Sequence, residues 1–420
     1  MSTLLVRRVE ARVFVSPKSL RDNNSIINNN SPQNKTVGGN PVTVFFTPPT
    51  SDTNAIHAST TITPETAVEL AKSCEWESVV VNWDVTQQGL PRFQFYLPSG
   101  EEVCFCAHAA MGACAVVSAA AGITSLPPKL FLNSESPDQI KFHVGTRDDS
   151  QIANIFTIPN EMNNIRQIPL NSLEVELPMS HEVQESEIGT APDKTSTAFI
   201  PKQNEQNVLN DILSSLHLTP MDVYAADKIC AAGSKLTERH TFFPPFLNSS
   251  VARTKTLVHI SELSKLHSAK RVVSDETFRD LCDSIESTGI YLYTPIYDSV
   301  NPRMPLPLRY ECRQFPRASG YVEDPATGIA AAALACSLRK HNQRDFETNN
   351  DIVPHHEHTN SYDRFEFYQG TAMGRPSKIT IRFVENKDQH CDNTTAVKRT
   401  TTRMLCSGLV EIGLQKNIMI

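Results

Sequence analysis

Two stretches of the chain are apolar at almost every position instead of along one face only. The first runs from Glu102 to Gly122 and the second from Tyr321 to Lys340, and both are rich in alanine. Alanine is the strongest helix former, and a helix that is apolar all round is buried. The pattern therefore predicts two thin, buried helices over residues 108–121 and 325–339, the second beginning at Pro325 because proline suits a first helical turn.

Shorter stretches of β-branched and aromatic residues predict strands. These stretches are Val6 to Val15, Val42 to Phe46, Ser78 to Trp83, Pro91 to Leu97, the region Leu130 to Phe156, Leu173 to Leu177, Thr256 to His259, Gly289 to Thr294, Arg309 to Phe315, Arg364 to Tyr368 and Ile379 to Phe383. Apolar spacing predicts further helices over residues 63–73, 208–216, 261–267 and 274–287. Many strands and few helices are typical of an α+β fold, here with sheets wrapped around one alanine-rich helix in each of two similar lobes.

The length of 420 residues predicts two domains. We place an N-terminal lobe at residues 1–182 and a C-terminal lobe at residues 207–403. Residues 183–206 are polar and contain two prolines, so we interpret them as a linker or loop. Residues 404–420 are predicted to form two short strands separated by Gly413. The sequence does not decide whether these strands return to the N-terminal lobe.

Charge, apolar runs and cysteine usage argue against several kinds of partner and indicate a cellular location. The net charge is −7 and no long basic run occurs, which argues against a nucleic-acid partner. No apolar run is long enough for a membrane span, and the first residues do not resemble a signal peptide. The ten cysteines are scattered without zinc-type pairs, which favours reduced thiols. We therefore expect a cytoplasmic protein with no membrane partner.

The sequence gives little indication of a metal or cofactor. The run His355-His356-Glu357-His358 is compatible with metal binding, but it lies in a polar stretch without further ligands at a telling spacing. We favour a solvated loop for it. No glycine-rich phosphate loop follows a strand, so we expect no nucleotide cofactor.

A polar side chain stands at the start of each alanine-rich helix. His108 begins the first helix, and Asp324 precedes the second. The first turn of a helix carries free N–H groups and partial positive charge, which attract an anion or a carboxylate. We expect the two N-termini to face each other across a cleft.

Six short motifs occur in one order along most of the chain. They are Gly39-Asn40-Pro41; Glu77-Ser78; Phe105-Cys106-Ala107-His108-Ala109; Arg313-Gln314-Phe315-Pro316; Glu323-Asp324-Pro325-Ala326-Thr327-Gly328; and Gln369-Gly370 with Met373-Gly374-Arg375-Pro376-Ser377. Together they resemble the PhzF-type isomerases of phenazine biosynthesis, which have the diaminopimelate-epimerase-like fold. The resemblance implies a β-barrel-like sheet around each central helix, a site between the lobes, a homodimer and catalysis without a cofactor.

The resemblance also implies roles for individual residues. Glu77 matches the glutamate that transfers the proton, although a solvated glutamate at a strand entry is the structural alternative. His108 matches a histidine that orients polar groups of the substrate, and its alternative is a helix cap or a core histidine. Asp324 matches an aspartate that contacts substrate, and a capping role alone would also account for it. Ala107 and the backbone N–H groups near Gly328 are the remaining predicted substrate contacts.

Cys106 allows a rival chemistry to be considered. Racemases of the diaminopimelate-epimerase type use two opposed thiols, and Cys106 matches the first of them. Pro325 stands at the second position and cannot act as a base. Two-thiol racemisation is therefore disfavoured.

Three positions depart from the family pattern. Ala107 replaces a glycine, Ile329 replaces a serine that would contact substrate, and Trp76 replaces a small residue. Two hypotheses follow. The first is an isomerase that moves a proton between carbons of a small carboxylated substrate, with Glu77 as acid and base. The second is a catalytically impaired binding or scaffold protein on the same fold.

Overall fold

The structure, a computed structural model, divides into two units. It describes residues 4–16, 38–47, 61–83, 91–103, 105–120, 139–144, 151–157, 171–177, 184–187, 203–223, 246–296, 308–348, 363–387 and 400–420. Unit 1 comprises Met1–Pro178, Arg375–Ile379 and Val384–Ile420, and unit 2 comprises Met179–Gly374 and Thr380–Phe383.

The described residues form short strands and a smaller number of helices. The strands are β1 Leu5–Val13, β2 Asn40–Phe46, β3 Ser78–Trp83, β4 Pro91–Tyr96, β5 Glu102–Val103, β6 Gln139–Val144, β7 Gln151–Thr157, β8 Asn171–Glu176, β9 Gln184–Glu187, β10 Phe246–Ser250, β11 Lys255–His259, β12 Gly289–Pro295, β13 Leu308–Pro316, β14 Arg364–Gln369, β15 Ser377–Lys387 and β16 Thr400–Met419. The helices are α1 Pro64–Lys72, α2 Ala107–Ala120, α3 Gln203–Ser215, α4 Leu263–Ser268, α5 Asp275–Ser284 and α6 Gly328–Thr348.

In unit 1 the hydrogen-bonded strand order returns to its starting strand. The order is β1-β2-β3-β4-β6-β7-β8-β16, and β16 also pairs with β1. Leu405–Val410 of β16 lie opposite β8, while the following residues of β16 lie opposite β1. Helix α2 contacts β1, β2, β3, β4, β8 and β16, so it packs against strands from several parts of this order.

Small side chains let α2 lie close to the sheet. Residues 107–117 of this helix are all buried. A Cβ atom added at Gly112 would lie 2.6 Å from Cγ1 of Val42 in β2, well inside van der Waals contact. Glycine in the middle of a helix costs about 1 kcal/mol relative to alanine, and here this close approach to β2 accounts for it.

Unit 2 also contains a sheet and one alanine-rich helix. Its strands run in the order β9-β10-β11-β12-β13-β14, with β11–β12 and β13–β14 parallel. Helix α6 contacts β10 and β11, and its alanines at positions 330–333 and 335 are fully buried. Helices α3, α4 and α5 contribute apolar residues to a separate core cluster that includes Ile290, Leu292 and Phe315 of the sheet.

The C-terminal tail differs from the prediction of two short strands. It forms a single strand, β16, that continues through Gly413. The pairing with β1 shifts between Val9 and Ala11, where Glu10 alone lies opposite Gly413 and Leu414 of β16. A Cβ atom added at Gly413 would lie 2.9 Å from the carbonyl oxygen of Glu10. The glycine therefore belongs to a β-bulge of β16 and does not end the strand.

The predicted second buried helix begins later than expected. Residues 324–327 form a hydrogen-bonded turn, so α6 starts at Gly328 and not at Pro325, and it continues to Thr348 instead of ending at residue 339. The first buried helix begins at Ala107, one residue before the prediction. Position 121, where that helix was expected to end, lies outside the described residues.

Part of the predicted linker over residues 183–206 is regular structure. Residues Gln184–Glu187 form β9, which pairs with β10, and α3 begins at Gln203. Strand β9 was not recognised because it has no apolar alternation. Its Glu185 is instead held by ion pairs to Lys340 and His341 of α6. The remainder of the predicted linker and the His355–His358 run lie outside the described residues.

Within the part of the chain that the structure describes, no helix combines the length and apolar character needed to cross a membrane.

Candidate active site

Glu77 lies in unit 1 at the entry to strand β3. Its backbone carbonyl accepts a hydrogen bond from the N–H of Thr43 in β2 at 3.1 Å, so the sheet fixes its position. The residue is 7% exposed, unlike the neighbouring Glu75, which is exposed. Buried carboxylates are rare in proteins unless they have polar partners. The solvated-glutamate alternative therefore does not describe Glu77.

His108 is the second residue of α2 and lies next to Glu77. Its Nε2 atom is 3.9 Å from Oε2 of Glu77, and His108 is 5% exposed. Its Nδ1 atom is 3.2 Å from Sγ of Cys106. The carbonyl of Cys106 accepts the N–H of Ala110 at 2.9 Å, so Cys106, and not His108, occupies the capping position of α2. We call Glu77, His108 and Cys106 the acid–imidazole–thiol cluster.

The cluster is suited to proton exchange. An imidazole within 4 Å of a carboxylate stabilises the ionised form of the acid when the ring is protonated. The distance of 3.9 Å is too long for a hydrogen bond, so neither group is locked by the other. Ala107, the first residue of α2, is buried beside His108.

Two of the sequence motifs meet in unit 1, close to the segment that carries Glu77. Gly38 has a φ of +96°, and a Cβ atom there would lie 1.8 Å from the carbonyl oxygen of Pro376. The N–H of Gly39 donates to Oγ of Ser377 at 3.1 Å. Arg375 lies over the ring of Trp76, 4.9 Å from its centroid. Trp76 is therefore held by a cation–π contact with Arg375.

Trp76 also lines a groove on unit 1. The groove has a volume of about 390 Å³ and is lined by Arg8, Glu10, Ala11, Arg12, Pro41, Thr43, Glu75, Trp76, Glu411 and Gly413. Four of its charged residues are paired with one another, since Arg8 binds Glu10 at 2.9 Å and Arg12 binds Glu411. Neither Glu77 nor His108 lines this groove. The groove is thus distinct from the acid–imidazole–thiol cluster.

Asp324 lies in unit 2 in the turn that precedes α6. Its Oδ1 accepts the N–H of Ala326 at 3.2 Å, and its Oδ2 accepts the hydroxyl of Thr327 at 2.6 Å. Gln369 donates to the carbonyl of Asp324 at 2.6 Å and accepts the N–H of Thr327 at 3.2 Å. These bonds hold the turn that leads into Gly328, the first residue of α6. Asp324 therefore stabilises the turn ahead of the helix.

Other motif residues of unit 2 have structural roles. Arg313 forms a two-pronged ion pair with Glu323, with N–O distances of 2.8 and 2.6 Å. It also donates to the carbonyl of His267 at 2.9 Å, so it ties β13 to α4. Ile329, which replaces a serine of the family pattern, is buried in the first turn of α6.

The sequence motifs contained two glutamines to which no role was assigned. Gln369 is fully buried and forms the hydrogen bonds around Asp324 described above. Gln314 is 1% exposed, and neither its Oε1 nor its Nε2 has a hydrogen-bond partner among the described residues. Its backbone carbonyl accepts the N–H of Asp324 at 3.0 Å. No sequence pattern distinguishes Gln369, whose side-chain amide is hydrogen-bonded, from Gln314, whose side-chain amide is not.

The structure thus brings Glu77, Ala107 and His108 together in unit 1, while Asp324 and Gly328 lie in unit 2. Within the described ranges, no group of three or more His, Cys, Asp and Glu side chains is arranged to hold a metal ion.

Comparison with known proteins shows a resemblance to one family over part of the chain. Residues 306–402 match the model of the phenazine biosynthesis-like proteins, and this region contains the motifs around Arg313, Asp324 and Arg375. The resemblance to the PhzF family is confirmed. The chain is also 36% identical over 81 residues to trans-2,3-dihydro-3-hydroxyanthranilate isomerase of Pseudomonas chlororaphis. That match covers 19% of this chain and about a quarter, 24%, of the relative.

One solved structure extends the likeness of fold to the whole chain. A phenazine biosynthesis protein of the PhzF family from Bacillus anthracis superposes with a TM-score of 0.58 and 14% identity, covering 100% of both chains. A PhzF-family protein from Enterococcus faecalis gives a TM-score of 0.47 and 10% identity over 99% of both chains. The Bacillus anthracis match supports a PhzF-like fold that combines α-helices with a large sheet. The roles of Glu77, His108, Ala107, Asp324 and Gly328 stay predictions.

Proposed function

We propose that this protein is an isomerase that moves a proton between two carbons of a small carboxylated substrate. The observation that carries the proposal is the buried pair of Glu77 and His108 at the N-terminus of α2, with 3.9 Å between Oε2 and Nε2. The similarity to an isomerase of Pseudomonas chlororaphis supports the reaction class.

Glu77 acts as both acid and base in this scheme. Its carboxylate removes a proton from one carbon and returns the proton to another carbon of the same substrate. Burial limits exchange of that proton with water, so a fraction of it reaches the product. His108 orients a polar group of the substrate and balances the charge of Glu77 as the proton moves.

The remaining contacts bind the substrate. We assign the substrate carboxylate to the free N–H groups at the start of α6, near Gly328, because a helix N-terminus attracts anions. Asp324 contacts a polar group of the substrate, and Ala107 lies beside His108 at the start of α2. The scheme uses no metal ion and no organic cofactor.

The wider arrangement is part of the same proposal. We infer two related lobes, each with a β-barrel-like sheet around one alanine-rich helix. We also infer a cytoplasmic homodimer without a nucleic-acid or membrane partner, on the basis of the family resemblance and of the composition.

Solvent deuterium incorporation tests the proposal. The first compound to test is trans-2,3-dihydro-3-hydroxyanthranilate, which is named for the Pseudomonas chlororaphis relative, followed by other cyclic unsaturated carboxylates. We expect NMR in D₂O to show enzyme-dependent isomerisation of at least one compound, with deuterium at the carbon that receives the proton. If none is isomerised but one binds and perturbs the signals of His108, the protein is a binding protein and the proposed activity is wrong.

A further inference from the structure

Cys106 completes an arrangement that the proposed isomerase reaction does not use. Its Sγ lies 3.2 Å from Nδ1 of His108 and 4.0 Å from Nε2 of the same ring. The Nε2 atom in turn lies 3.9 Å from Oε2 of Glu77. The order is thus a nucleophile, a base next to it and an acid beyond the base, which is the order found in enzymes with activated thiols.

Cys114, which lies within α2, has a different environment. Cys114 lies two turns further along the helix among apolar side chains, and burial raises the pKa of its thiol well above the usual value. A thiol of this kind is inert, because only the thiolate is a good nucleophile. Both thiols are buried, but Cys106 directly precedes α2 and lies beside the imidazole of His108, whereas Cys114 lies within the helix.

We propose that Cys106 is a site of covalent modification by small soft electrophiles, of the α,β-unsaturated carbonyl class, with His108 as its base. His108 accepts the proton of the thiol through Nδ1, and the sulfur attacks the β-carbon of the electrophile. A C–S bond forms, the carbon–carbon π bond breaks, and its electrons move to the α-carbon. The proton held by His108 is then transferred to the α-carbon, so the addition has no leaving group and needs no oxidant.

Burial selects the size of the electrophile. Cys106 is 6% exposed, so only a small, uncharged acceptor reaches its sulfur. Modification places a substituent next to His108 and Glu77 and would block the site at the start of α2. The proposal depends only on the geometry of unit 1 and stands whether or not the protein is an isomerase.

Acrylamide labelling of the full-length protein, followed by peptide mapping, tests the proposal. Cleavage after Arg92 and Lys129 leaves Cys104, Cys106 and Cys114 on one tryptic peptide, and fragmentation locates the adduct. We expect Cys106 to react at least about tenfold faster than Cys114 in the folded protein. In urea the two cysteines should react at the same rate. Equal rates for Cys106 and Cys114 in the folded protein overturn the proposal.

A pair of histidine variants identifies the base. His108→Gln is expected to slow labelling of Cys106 by about tenfold or more, because the thiol loses its proton acceptor. His267 is a histidine of unit 2 that pairs with Glu311. The matched control, His267→Gln, should leave the labelling rate of Cys106 unchanged. An undiminished rate in His108→Gln contradicts the role of His108. If that variant does not fold, the comparison of Cys106 with Cys114 in the wild-type protein decides the proposal.

Discussion

The imidazole of His108 lies within ion-pair distance of the carboxylate of Glu77, at 3.9 Å, and both residues are buried. In the proposed reaction the two groups are coupled, because the ring of His108 balances the charge of Glu77 as the carboxylate takes up and releases a proton.

The His108→Gln variant tests the coupling. Glutamine keeps a hydrogen-bonding group but cannot carry the positive charge, so we expect kcat/KM for the isomerised substrate to fall by about 10- to 100-fold. The unfolding midpoint of the variant, followed by circular dichroism, should change little. Unchanged kcat/KM in a folded His108→Gln protein would show that His108 has no part in the reaction.

Replacing Gln369 by leucine should destabilise unit 2. The substitution leaves the carbonyl of Asp324 and the N–H of Thr327 without the bonds that Gln369 now provides. Each buried polar group left unsatisfied costs about 1–3 kcal/mol, so we expect the free energy of unfolding to fall by at least about 2 kcal/mol. Urea denaturation measures the change.

Gln314→Leu is the matched control for this prediction. Gln314 is equally buried, but its side-chain amide has no partner among the described residues. The same chemical change should therefore cost less than about 1 kcal/mol or increase stability, because an unpaired polar group is removed. Equal losses for the two variants would mean that the hydrogen bonds around Asp324 contribute nothing specific.

The close approach of Gly112 to Val42 predicts that the effect of Gly112→Ala on stability changes sign with the residue at position 42. Gly112→Ala forces its Cβ against the valine and should destabilise unit 1 by about 1–3 kcal/mol, although alanine favours the helix. In a Val42→Ala background the same change should stabilise the protein by up to about 1 kcal/mol. A urea-denaturation double-mutant cycle that finds no coupling would show that α2 does not pack against β2 as described.

The lowered pKa of Glu185 predicts that the protein loses stability in acid. Burial alone would raise the pKa of its carboxyl group, but the neighbouring side chains of His341, Lys340 and Ser337 outweigh burial and lower the pKa to about 2, from 4.5. Because the folded-state pKa is the lower one, the stabilisation is complete above about pH 4.5 and is lost as the pH falls towards 2.

Glu185→Gln should therefore reduce the free energy of unfolding by on the order of 1–3 kcal/mol at pH 7, and by much less near pH 2. Glu286 is an exposed glutamate of the same unit. Its variant Glu286→Gln serves as the control and should change the free energy of unfolding little at either pH. A loss of stability in Glu185→Gln that is the same at pH 7 and pH 2 would contradict the assigned ion pairs. Thermal denaturation across this range provides the measurement.

Composition was sufficient to predict the two buried helices, because a helix that is apolar on all sides has no polar face to present to water. It was not sufficient for β9, whose polar residues are stabilised by ion pairs with α6 instead of by apolar burial. The continuation of β16 through Gly413 was missed for a related reason. The role of that glycine is set by its close approach to Glu10 of β1, which lies about 400 residues away in the sequence.

The candidate site was predictable to a different extent. His108 and Cys106 are two residues apart, yet no local pattern indicates that the sulfur faces the ring. The proximity of Glu77 to His108 was expected only through the family resemblance, because their pairing depends on the position of α2 in the sheet of unit 1. The contact of Trp76 with Arg375 joins parts of the chain that no sequence periodicity relates.

Two neighbouring glutamates allow the most direct test of proton transfer by Glu77. Glu75 and Glu77 are two residues apart, but Glu75 is exposed and lines the groove while Glu77 lies beside His108. The measurement is the rate of solvent deuterium incorporation into a substrate by the wild-type protein, Glu75→Gln and Glu77→Gln. We predict a loss of about 10²-fold or more in Glu77→Gln and a rate close to wild type in Glu75→Gln. Wild-type exchange by a folded Glu77→Gln protein would contradict proton transfer by Glu77.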